Sequence, residues 1–243
     1  MSAFGVGIMH RFRAAAILAA LLLVLSACAA PEIPYDRSTA GEIKTIGVVT
    51  PRFPSGPAVV LASSVGQSFG LIGALVDAGL QARRESRFQE LLVSQNYSVV
   101  DDFTATVVRR LREGGYNVTL LPATRDGADF LKQYPAGSGI DAYLDLVSLG
   151  YGYIAAGIGS STPYRPALVV RARLVAAKDS SVLMQDLIVY NPINKVAKAV
   201  TIAPDPAYEF VDFDTLVGDP ATATKGLQTA VDQSAQAIAT LLK

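Results

Sequence analysis

Two residue types that carry much of enzymatic chemistry occur once each, as His10 and Cys28, both within the first 28 residues of the 243-residue chain. Beyond Cys28 there is neither imidazole nor thiol. That excludes from the rest of the chain a Ser-His-Asp triad, a Cys-His pair, a His/Cys zinc site, an internal disulfide and a histidine pH switch. Carboxylates remain. Asp205, Glu209, Asp212, Asp214 and Asp219 crowd into one stretch and could offer oxygens to a hard cation, but the ligand order and central glycine of an EF-hand are missing. A solvated acidic loop is the preferred reading. Asp141 and Asp145 share a strand face, yet glycoside hydrolysis is defined by a carboxylate separation of roughly 5–10 Å in space, and nothing in the sequence selects this pair. The glycines from Gly150 to Gly159 do not follow G-x-G-x-x-G, and no P-loop lysine follows them, so they read as a bend or bulge. Tyr151, Tyr153 and Tyr164 could form a contact patch, with packing the preferred use. The sequence therefore assigns no catalytic residue, no cofactor-binding residue and no metal ligand.

The amino terminus reads as an address. Arg11 and Arg13 make a basic start, and Ala14 to Leu25 is an apolar run too short to span a bilayer of roughly 30 Å. Leu25-Ser26-Ala27-Cys28 then resembles the lipobox of bacterial lipoproteins. The resemblance implies residues 1–27 as a signal peptide, cleavage before Cys28, and lipidation of Cys28 with acylation (palmitate or a similar chain) of the new amino terminus. It also implies sorting to the outer membrane, since Ala29 and Ala30 lack the Asp that marks inner-membrane retention. Several acyl chains anchor a protein where one would not. Removing residues 1–27 takes away two arginines and no acid. The mature chain is slightly acidic, which does not suggest a nucleic-acid partner.

The elements that must position any site follow. Residues 28–42 carry Pro31, Pro34 and Gly41 without apolar periodicity and read as the lipidated cysteine and its tether; 43–243 reads as one periplasmic α+β domain. Ile43–Thr50 is the first strand candidate, and Ala58–Ala62 is expected to return beside it. Residues 65–80, with Gly66, Gly70, Gly73 and Gly79, read as a closely packed buried helix; oligomer contact or membrane insertion is the alternative. This helix continues through Arg83–Leu92. Val100, Phe103, Val107 and Leu111 mark one face of a second helix, stopped at Gly114-Gly115. Tyr116, Val118 and Leu120 alternate as a strand, and a short helix is expected near Ala128–Tyr134. Residues 140–156 form a long strand. Leu168, Val170, Ala172 and Leu174 alternate with Arg171 and Arg173, predicting a strand with a solvated face, paired with Val182–Tyr190 through the turn at Lys178–Ser181. Residues 191–217 look irregular, and a helix closes the chain from Ala221 to Leu242. The fold class predicted is a mixed, largely antiparallel sheet flanked by helices.

This order, with Ile43–Val49 opening the domain and Arg171–Ser180 in the hairpin, resembles envelope lipoproteins whose fold is like the TolB amino-terminal domain, shared by the curli-secretion lipoproteins. The resemblance implies a non-enzymatic accessory or assembly module that binds another envelope protein. Two alternatives stand beside it: an oligomeric secretion-channel or pore-type lipoprotein, which would make the chain a homo-oligomer, and a carboxylate-based cell-wall hydrolase.

Overall fold

The computed structural model describes residues 32–40, 42–61, 78–125, 127–135, 139–157 and 161–243. The signal segment, Cys28, Ala29 and Ala30, and the glycine-rich stretch up to Asp77 lie outside the described residues. Among the described residues, seven strands form one mixed sheet, β1 (Thr45–Val49), β2 (Ala58–Leu61), β3 (Asn117–Leu121), β4 (Ala142–Ala155), β5 (Arg165–Ala176), β6 (Val182–Tyr190) and β7 (Val200–Ile202). Besides one helical turn at Arg37–Ala40, the α-helices among the described residues are α1 (Ala78–Ser94), α2 (Val99–Glu113), α3 (Phe213–Gly218) and α4 (Pro220–Leu241). Across the sheet the order is β3-β1-β4-β5-β6-β7, with β2 also on β4. The longest pairings, β4 with β5 and β5 with β6, are antiparallel, and the shorter ones toward the edges are parallel. The expected α+β class is the observed one. No helix among the described residues is long and apolar enough to cross a membrane.

Strand β2 does not return beside β1. Both run parallel to β4, β1 along its first residues and β2 along its last, with Arg52 bridging to Val147 between them. Pro51, Pro54 and Pro57 lack the amide donors that one unbroken strand would need, so the ladder is interrupted but its direction is kept. Gly152 makes this lane fit. Its φ of +141° and its contact with the Ala58 carbonyl leave no room for a Cβ.

Helix α2 starts where the pattern placed it. The Ser98 side chain caps it, Asp101 and Asp102 occupy the first turn, and Gly114 and Gly115 end it. The buried face is Val99, Phe103, Val107 and Leu111, so Val99 rather than Val100 opens the stripe. Helix α4 is capped by Asp219 with Pro220 at its first position, and buries Leu227, Val231, Ala235 and Ile238. Both helices lie on one face of the sheet, against Ile46, Leu144, Val170, Leu174 and Ile188. Tyr153 reaches from β4 to donate to the Ala223 carbonyl at 2.9 Å, locking α4 to the sheet.

Two irregular stretches differ from expectation. Residues 128–134 are not helical: Asp129 accepts from the Phe130 amide and the Leu131 amide donates to Asp145, so the local donors point away from a helical ladder. Residues 191–217 hold β7, a 3-10 turn at Pro206–Tyr208, and α3 up to Gly218. The segment read as a tether lies against the body from Ile33 onward. Ile33 exchanges two 2.8 Å backbone bonds with Gln185, Tyr35 and Ile43 pack on the core, and Arg37 reaches the Leu242 carbonyl.

Candidate functional site

The face of the sheet opposite the helices was expected to be solvated at Arg171 and Arg173. Instead, Arg125 and residues 127–134 lie across it. Asp145 is fully buried, and Arg125, with its side chain 8% exposed, meets it at 2.7 Å. The second carboxylate oxygen accepts from the Leu131 amide at 2.8 Å and from Tyr134 at 3.3 Å. Arg125 also donates to the Thr50 carbonyl. Tyr134 stacks on Tyr143 at 5.1 Å, and burial, with the Asp145 charge beside it, raises its hydroxyl above the ordinary tyrosine value. Arg171 pairs with Asp129, whose carboxyl is held below the usual range first by the Phe130 amide and further by Arg171. The Phe130 ring lies against both guanidinium groups, at 4.5 Å from Arg171 and 4.0 Å from Arg173. Arg173 also donates to Gln185 at 2.7 Å. The arrangement is a latch that fastens a loop to a sheet, and both Asp145 oxygens are occupied in it.

The acidic residues singled out by sequence do not converge. Asp141 precedes β4 and accepts from the Lys44 and Thr45 amides, bracing the start of β1. It lies four positions from Asp145, about 13 Å along an extended strand. In the acidic loop, Asp205, Asp212 and Asp219 each cap a helical turn through the Ala207, Thr215 and Thr222 amides. The Thr215 amide holds the Asp212 carboxyl below its ordinary value. Glu209 pairs with Arg165 at 2.7 Å, and Asp214 reaches Arg87. Among the described residues no three His, Cys, Asp or Glu side chains stand close enough together to hold a metal ion. The tyrosines pack: Tyr151 meets Phe53 edge-on, Tyr153 meets Phe88 and Phe210, and Tyr164 is buried.

A groove of about 460 Å³ opens between α4 and β7, where Val200, Ile202, Ala237 and Leu241 supply apolar walls and Gln236 and Thr240 polar ones. Its rim is fixed by Asp232, which Arg110 grips through both oxygens at 2.8 and 2.7 Å while Arg109 adds a third bond at 2.9 Å. Burial alone would raise the Asp232 carboxyl, but the two arginines outweigh it and hold it below its ordinary value. No periodicity in the chain marks this groove, because β7 is three residues long within a proline-rich stretch. The one signal was the β-branched run Val200-Thr201-Ile202.

No family model matches the chain, and no curated protein is significantly similar to it. Among solved structures, a Xanthomonas campestris protein of the DUF330 family is similar over 86% of this chain and 86% of its own, at 12% identity and a TM-score of 0.41. A variant of PelC from Paraburkholderia phytofirmans, solved as a dodecamer, is similar over 86% of this chain and 92% of its own, at 11% identity and a TM-score of 0.25. At these scores neither likeness assigns a role to this chain.

Proposed function

We propose that the protein is a lipid-anchored module of the bacterial envelope, held on the periplasmic face of the outer membrane, that acts without catalysis by binding another envelope component in the groove between α4 and β7. The observation that carries this reading is Leu25-Ser26-Ala27-Cys28 placed behind a basic, short apolar leader. The groove supports the binding half. It is partly apolar, with polar groups along one side, and its rim is braced by the ion cluster of Asp232, Arg109, Arg110 and Glu113. The latch supports the non-catalytic half, because the fully buried carboxylate of Asp145 is committed to Arg125, Leu131 and Tyr134.

Metabolic labelling with a fatty-acid analogue should mark the wild type and leave Cys28→Ser unmarked; equal labelling of both would sink the anchor. For binding, a photo-crosslinking side chain at Gln236 should give a discrete adduct in cells. The same group at Val211, 56% exposed and outside the groove lining, should give none. Identical adduct patterns from the two positions would exclude the groove as the binding site.

A further inference from the structure

The lipid on Cys28, which belongs to the function proposed above, has a geometric consequence for the folded body. Ile33 is fixed to the outer edge of β6 by two backbone bonds to Gln185. Cys28 and Ile33 are five positions apart in sequence, with four residues between them. Fully extended, that stretch reaches about 18 Å at most. An anchored body is therefore held by the edge of its sheet, close to the lipid, rather than on a long leash. The same edge of β6 carries β7, with Ile188 registered on Val200, and Ile188 lies about 10 Å along the strand from Gln185. The loop leading into β7 exposes Lys195 and Lys198, and neither is in an ion pair among the described residues. Near this edge, Glu32 and Asp36 are exposed on the segment around Ile33, Asp186 is half-buried, and Asp232 beside β7 is held by Arg109 and Arg110.

We propose that the β6–β7 edge is the membrane-facing surface of the protein, with Lys195 and Lys198 resting on the phosphates of an anionic phospholipid surface. The length of chain between the lipidated cysteine and its first fixed residue decides which edge faces the bilayer. The two lysines complement what lies there, each basic group near an anionic surface adding modestly to attachment. The far edge, β3, is five strand spacings away, about 24 Å. A partner seated in the α4–β7 groove would then sit beside the lipid.

Because lipidation consumes the one native thiol, an introduced cysteine can be labelled alone. The full-length lipoprotein is reconstituted in vesicles of phosphatidylethanolamine and phosphatidylglycerol containing a headgroup-quencher lipid. A fluorophore is placed at Ala197→Cys, between the two lysines, or at Leu120→Cys, 53% exposed on β3. Quenching should be several-fold stronger at position 197 than at 120. Adding Lys195→Glu and Lys198→Glu should lower quenching at 197 while the protein still floats with the vesicles. Equal quenching at the two positions, with flotation intact, overturns the orientation and leaves the anchor standing. Unchanged quenching in the double-glutamate form overturns the role of the lysines. Failure of the wild type to float with the vesicles, together with absent fatty-acid labelling, overturns the anchor itself and the orientation with it.

Discussion

Replacing Asp145 by asparagine should destabilise the folded body by about 3–5 kcal/mol, the range for removing one partner of a buried ion pair. Asparagine can still accept from the Leu131 amide, but its amide carries no charge to balance Arg125, whose side chain is 8% exposed. The loss is therefore the cost of an uncompensated buried cation, not of one hydrogen bond. The discriminating test is the double variant Asp145→Asn with Arg125→Met. Removing the cation as well should recover a large part of the stability, since replacing both members of such a pair is often near neutral. Denaturant melts of a form beginning at residue 29 would measure both. A loss below about 1 kcal/mol for the single variant is the value of a solvated pair and would mean that Arg125 and residues 127–134 do not seal the sheet face. The same latch changes what is expected of Arg173. Its contacts with Phe130 and Gln185 make it a structural residue rather than a free surface arginine.

Phe103→Ala should cost about 3–5 kcal/mol, as large-to-small changes at full burial do. Phe103 is 0% exposed on the inner face of α2, and its ring meets Phe53 edge-on at 5.3 Å. Phe53 belongs to the proline-interrupted lane between β1 and β2 and also meets Tyr151 of β4. Truncation at 103 therefore opens a cavity where helix, sheet and the irregular lane converge. The larger part of the loss should appear as faster unfolding if this contact forms late in folding, and as slower folding if it belongs to the nucleus. A neutral result in equilibrium melts would show that α2 is not docked on the sheet through this residue.

The two variants probe opposite faces of one sheet, and the two faces differ in how far they could be read from the chain. On the helix side, Phe103, Val107 and Leu111 repeat at helical spacing, and Leu168, Val170, Ala172 and Leu174 alternate. These local periods arise because each element must turn one apolar side to a common core. The caps at Ser98, Gly114 and Asp219 follow from neighbouring residues alone. The address in residues 1–28 is likewise a local pattern. By itself, then, the sequence determined the α+β class, the helix-facing core and the absence of imidazole and thiol beyond Cys28. What it could not carry was any contact between residues far apart in order and similar in local pattern. Arg171 and Arg173 alternate with apolar neighbours just as solvated residues do, and only the arrival of Phe130 and Asp129, some forty positions earlier, makes that face an interior. Ala58–Leu61 is strand-like in either direction, and its parallel course beside β4 was set by the close approach at Gly152 and the bridge at Arg52. Ile33 has no local partner; the open edge of β6 supplied one. Periodicity records which side of an element is apolar, but what covers the other side is decided by long-range pairing, and that pairing exists only once the chain has folded.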